Sequence, residues 1–364
     1  MSRSGTYIVL ALAVALAAAG REPPTFPSGT SQFFRTYATD AVAPRDGGVW
    51  LAVPEGIVRY NAAGGGTVLT TPGGAPYKLA LAADGSIWFA NRTGVGRIST
   101  SGTLLEQYTL ADIRDIAAAI DGALWYARSS GSIVGRIAGG TPVEFTSPTA
   151  AWSLAPASDG AVWILGHGFG TSADFLYQMA PSGAMTVVPL GADVLFGRLQ
   201  AVADGTLYIG TGYRNELLRL QRRSTSVEVV RGFHDSMFLV DDAHNIWSAT
   251  YSVLDYLAQD GPSGFALELP YDPRAGTCSN IPVWAYRPLA IDSDGGLWLR
   301  VFDDAGYLPE PLPCSLPEPP EMPTLIRIDT GALIAAQNVP ILSPAMLAIL
   351  ATVVAAVGVL RLRA

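Results

Sequence analysis

Lysine is almost missing from this chain: Lys78 is the only one, and every other basic side chain is an arginine. The formal net charge is −8, and no stretch between the two ends gathers basic residues. Binding to a phosphate backbone needs clustered Lys and Arg, so nucleic acid is excluded as a partner class. Histidine is scarce as well, with three copies, too thinly spaced for the dense ligand clusters that metal sites show. Two cysteines, Cys278 and Cys314, leave room for a single disulfide and fit an oxidising compartment. There is no phosphate-binding Gly loop, no Gly-x-Ser-x-Gly elbow and no Cys-x-x-Cys pair. Helical heptads are absent, and no 3.6-residue period appears outside the two ends. What remains is apolar: 49% of the 364 residues are hydrophobic and 15% charged, enough for a sizeable core in two domains or one large repeat domain.

Each end carries an uncharged run. Arg3, the apolar stretch Tyr7 to Leu16 and the small residues Ala17 to Gly20 have the layout of a secretory signal peptide over residues 1–20. A Pro-rich extended linker follows over 21–30. At the other end, about 20 uncharged residues run from Ile341 to Leu360, enough to cross a bilayer core. Arg361 and Arg363 come next, which by the positive-inside tendency leaves the tail cytoplasmic and the bulk of the chain outside. The segment 339–364, with its Val-Pro-Ile-Leu-Ser opening, resembles the IPTL-CTERM class of bacterial sorting tails, relatives of PEP-CTERM. It departs from that pattern at Ile341, where Thr is usual, and in its thin basic end. The resemblance implies recognition and removal by an exosortase-type membrane protease; otherwise the segment is a plain transmembrane anchor. Both readings export the protein to the cell envelope, outer surface or periplasm.

Between the ends lies a repeat. Asp-Gly-x-(Ile/Val/Leu)-aromatic occurs at Asp46, Asp84, Asp121, Asp159, Asp204 and Asp294, with a degenerate copy, Ala-His-Asn-Ile-Trp, at Ala243. The spacings are 38, 37, 38, 45, 39 and 51 residues, the period of propeller blades. Every unit reads as an apolar strand, an Asp-Gly hairpin turn, a strand such as Ser-Ile-Trp-Phe-Ala with Trp and Phe on opposite faces, a third strand such as Val-Gly-Arg-Ile, and a fourth. One four-stranded sheet cannot bury both its faces, but seven arranged radially can. The fold class is therefore all-β, a seven-bladed β-propeller over 31–338. Ser31 to Thr39 is expected to complete the last blade, in competition with Gly331 to Val339.

The blade pattern resembles the streptogramin (virginiamycin B) lyase family, and more loosely NHL-repeat propellers. Blades two and three match best, in Asp84 to Tyr108 and Asp121 to Phe145. The resemblance implies a propeller that opens cyclic depsipeptide antibiotics by Mg-dependent elimination, with His on the innermost strands of the last two blades and a nearby Glu. Elimination needs a base poised near neutral pH and a cation for the developing oxyanion. Here the blade-six slot holds Ser236, with His234 two residues away, and the blade-seven slot holds Arg287 or Leu289. Three residues past the blade aromatics come Val53, Asn91, Arg128, Gly166, Thr211, Thr250 and Val301, none a carboxylate. The lyase site is thus not recognisable, no cofactor is implied beyond Mg for a divergent lyase, and His234 and His167 are the only candidates for a relocated base.

The family's layout places His167 and His234 on one face of the ring and His244 on the other. Around the axis it would show Tyr77, Arg114 or Asp115, Trp152, Arg198 and Asp235. Such an aromatic and arginine-lined mouth suits a sugar or larger glycan, a peptide or protein, or a small molecule such as an anionic group; alternatively, the rings fill the channel and the charges pair across it. Asp292 sits in an Asp-rich stretch that suggests calcium, though hairpin turns account for it better. Two long Pro-rich loops, Pro270 to Pro288 and Asp303 to Pro323, are expected on the same face with one cysteine each, so a Cys278–Cys314 bridge would fasten them into a cap. The expected molecule is a monomeric, exported ring that binds a ligand or partner.

Overall fold

Each signature doubles the chain back on itself. In blade two the strand Pro76–Leu81 runs into the turn, Gly85 takes a φ of 83°, and Ile87–Asn91 returns antiparallel with Trp88 opposite Ala80. Asp84 clamps the turn by accepting the Ser86 amide at 3.0 Å. Asp121, Asp159 and Asp204 accept the amides two residues on in the same way. Gly94–Ile98 and Leu104–Thr109 then complete an antiparallel sheet of four strands. This computed structural model describes residues 31–34, 37–44, 47–60, 66–167, 174–188, 190, 197–211, 216–222, 224, 226–230, 238–249, 253–259, 264–268, 284–303 and 325–337. Within them the chain forms seven such sheets, the blades of a β-propeller.

The core is divided among the junctions between blades. Trp88 and Phe89 are consecutive and point to opposite faces, as strand alternation requires. Trp88 packs with Ile116, Leu124 and Tyr126 of blade three, whereas Phe89 packs with Trp50 and Ile57 of blade one. Trp125 and Tyr126 divide in the same manner between blades four and two. Seven apolar clusters result, one per junction, including the one that joins blade seven to blade one through Trp298, Leu289 and Leu51.

The third-strand arginine belongs to the same device. Cross-strand register sets Arg59, Arg97, Arg136 and Arg327 opposite Trp50, Trp88, Trp125 and Trp298. Each guanidinium lies over its indole, at 5.5, 5.2, 5.6 and 6.0 Å from the ring centroid. Arg97 also binds Asp84 at 2.7 Å and Glu106 at 2.9 Å, and Arg136 pairs with Asp121. In blades two and three the Asp-Gly, Trp and Gly-Arg are therefore parts of one stack that fastens the turn to the third strand.

Blade seven closes the ring with strands from both ends. Trp284–Ile291, Gly296–Asp303 and Leu325–Asp329 are completed by Ser31–Phe34, in the register Ser31 to Ile328 and Phe34 to Leu325. The closing strand is shorter than the expected Ser31 to Thr39. Its competitor is instead a short helix, Thr330–Gln337, begun by Asp329, whose carboxylate accepts the Ala332 amide at 2.9 Å. The first of the two long loops is also shorter than expected, because Trp284 to Pro288 is strand. The remainder of both loops, with Cys278 and Cys314, lies outside the described residues, as do segments 1–30 and 338–364. Among the described residues no helix is long and apolar enough to cross a membrane.

Candidate channel site

Inner strands are sheet edges, so alternate amides face the propeller axis with no strand to pair them. Four of these strands also slip register, between Pro76 and Lys78, Ile113 and Asp115, Ala151 and Ser153, and Pro288 and Ala290. A bulge spends one extra residue and re-aims its neighbours. The residues spent are Tyr77, Arg114, Trp152 and Leu289. Lys78, Asp115 and Ser153 come to share one level of the strand ladder, two positions from each blade's aromatic. Asp40, Arg198 and Arg287 stand at the same level in their own blades. This axial layer lines a cavity of about 380 Å³.

The expected axial residues thus shift by one position in two blades. Tyr77 turns aside, and its hydroxyl donates to the Ile113 carbonyl at 2.7 Å, tying blade two to blade three. Trp152 reaches the cavity rim, where the Arg114 guanidinium lies 4.3 Å from its ring centroid. Of the pair Arg114 and Asp115, Asp115 takes the axial place, and Arg198 lies where expected. In blade seven Arg287 is axial, while Leu289 is buried against blade one. His234 and Asp235 lie outside the described residues. Asp40 escaped the sequence reading, and so did Lys78 and Ser153, the latter two because a bulge is set by how axial amides are satisfied and leaves the apolar alternation unchanged.

The axial acceptors stitch successive blades together. Asp40 accepts the Leu79 amide at 3.0 Å, Asp115 the Leu154 amide at 2.8 Å, and the Ser153 hydroxyl oxygen the Leu199 amide at 3.2 Å. The second oxygen of Asp115 meets the Lys78 ammonium at 3.0 Å. That carboxylate holds the lysine above its ordinary range, against burial, which pulls it down. Arg287 is displaced the other way, below the usual arginine range, by burial first and by the Arg198 charge second. A second cavity, of about 650 Å³, opens at the mouth between blades one to three, beside Tyr77, Arg92 and Asp112.

The other candidate residues lie away from this axial layer. His167 ends the second strand of blade four, opposite Ala150, on the side away from the Asp-Gly turns. His244 lies on the turn side, bonded to Asp204 at 3.1 Å and to the Tyr208 hydroxyl at 3.0 Å. Asn91 holds a loop through the Pro72 carbonyl and the Thr93 and Gly94 amides, and Arg128 pairs with Glu144 at 2.6 Å. Asp292 is a buried hub rather than a cation ligand. It accepts from Arg327 at 2.8 Å, from the Trp298 indole at 2.9 Å and from the Gly296 amide at 2.7 Å. Burial works to raise its carboxyl, but those donors hold it below the ordinary range. Among the described residues no three His, Cys, Asp or Glu side chains converge to hold a metal ion.

No protein-family model and no curated protein matches the chain. Solved structures do. A streptogramin B lyase is 18% identical, with 74% of this chain and 93% of that one covered and a TM-score of 0.54. A catalytically inactive virginiamycin B lyase from Staphylococcus aureus, with quinupristin, is 16% identical, covering 82% and 98% with a TM-score of 0.58. The extracellular domain of a putative hybrid two-component system from B. thetaiotaomicron is 14% identical, covering 76% and 38% with a TM-score of 0.52. At such identities the likeness is one of fold, and in fold this chain is a seven-bladed propeller similar to the streptogramin lyases.

Proposed function

We propose that the protein is an exported propeller that binds a small molecule, a glycan or a protein segment at its channel mouth and catalyses no reaction on it. The observation that carries this reading is the axial layer, where charged side chains from five blades and the Ser153 hydroxyl from a sixth face a cavity of about 380 Å³, inside the range of small-molecule sites. Export rests on the signal-peptide layout of residues 1–20 and on the uncharged run Ile341 to Leu360, as anchor or sorting tail. That one similar structure is an extracellular domain agrees with it. A Cys278–Cys314 disulfide would cap the mouth, and the intact mass before and after reduction reads it directly.

The second reading, a divergent Mg-dependent lyase with His234 as relocated base, is favoured by the structural likeness to two streptogramin lyases. One incubation separates the two readings. Purified protein, Mg and quinupristin are followed by chromatography, because ring-opening elimination leaves mass unchanged. The binding reading expects no turnover beside an active lyase. Turnover that disappears in His234→Ala would replace it with the enzyme.

A further inference from the structure

Building on the channel-binding reading, we propose that Lys78, Arg198 and Arg287 form a site for the oxoanion of a small molecule, a carboxylate, phosphate or sulfate on a body of monosaccharide size. The axial carboxylates are already engaged. Asp40 caps the Leu79 amide, and Asp115 is divided between the Leu154 amide and Lys78. Among the described residues, three cations therefore face two carboxylates. Arg198 and Arg287 make no ion pair or hydrogen bond among the described residues, and the Arg287 Nε is buried without a partner. Like charges sharing a partly dry cavity repel, and a buried unpaired donor costs free energy, so the layer formed by the described residues carries an unbalanced positive charge. A guanidinium fork presents two parallel donors matched to the oxygens of a carboxylate or phosphate, and two such forks complete the layer around one anion. Ser153 adds a hydroxyl proton, since its oxygen already accepts from Leu199. Burial and the Arg198 field also depress Arg287, a displacement that an anion between them would reverse.

The test is thermal unfolding of the purified protein in low-salt buffer free of phosphate and carboxylate, titrated separately with inorganic phosphate, glucuronate and neutral glucose. Phosphate and glucuronate should raise Tm and glucose should not, with the tighter of the two identifying the head group. Arg198→Gln and Arg287→Gln should each weaken anion binding by about tenfold or more, the loss of one charge-assisted bond. In anion-free buffer both variants should melt no lower than the unmodified protein, because a like charge has been removed. Variants that melt markedly lower there would show the arginines to be structural partners and overturn the proposal. So would anion-induced shifts that survive in both variants, or no shift with either anion. Glucose binding untouched by the substitutions would overturn the anion while leaving a channel that binds. Quinupristin turnover, by contrast, would remove the binding reading without altering these arms.

Discussion

At the scale of single residues, the Gly-Arg of the third strand divides its labour across the sheet. The arginine lies over the blade tryptophan, and the glycine makes room for the ring beside it. A Cβ on Gly96 would stand 2.4 Å from the Phe89 ring, and one on Gly135 would stand 2.1 Å from Tyr126. Gly96→Ala should therefore destabilise the protein by about 1–3 kcal/mol through overpacking, read as a lower urea midpoint at unchanged slope. Asp292→Asn should cost more, about 3–5 kcal/mol at neutral pH, because Arg327 would keep its buried charge and lose its partner. The folded carboxyl is depressed, so its contribution is present above the ordinary Asp value near about 4 and fades as pH falls through the folded value. The gap between variant and parent should then close below about pH 4 in acid titrations of stability. The Gly-Arg pair was legible in the sequence because blades two and three both carry it. The axial identities were not: separate bulges in blades two and four move the channel-facing role from Tyr77 to Lys78 and from Trp152 to Ser153, and alternation is blind to a slip of one.

At the scale of elements, repeats tolerate a missing part when a neighbour supplies it. Blade six has no Asp-Gly, and His244 occupies the glycine position at a φ of 61°. Asp241, two residues earlier than the usual Asp, takes over the clamp by accepting the Ala243 and Asn245 amides at 2.9 and 2.8 Å. The sequence disclosed this blade only as a degenerate copy, since the compensation spans positions the signature leaves open. The closing strand was legible as strand-like, but its length was not, because its end depends on pairing with Leu325–Asp329 three hundred residues away. Removing residues through 34 would turn Leu325–Asp329 into an open edge. The truncated protein should melt lower and associate with rising concentration in light scattering, whereas an unchanged monomer would show that Ser31–Phe34 contributes little.

At the scale of the whole molecule, no blade owns a core. Each apolar cluster belongs to a junction, so losing one blade strips its two neighbours of a face. Leu124→Ala, at the junction of blades two and three, should cost about 2–5 kcal/mol. It should shift a single calorimetric transition as a whole. A transition split in two would mean that arcs of the ring unfold apart.

The closure also fixes how the ring bears load. Ser31 pairs with Ile328, one residue from the end of its partner strand, so the chain enters and leaves the ring at the same end of one antiparallel pair. Tension between the two ends of the protein would open that pair like a zipper, one rung after another from Ser31 towards Phe34, instead of shearing all rungs together. A ring held at one end only would feel no such pull. Holding it at both chain ends would direct the force to the clasp of blade seven.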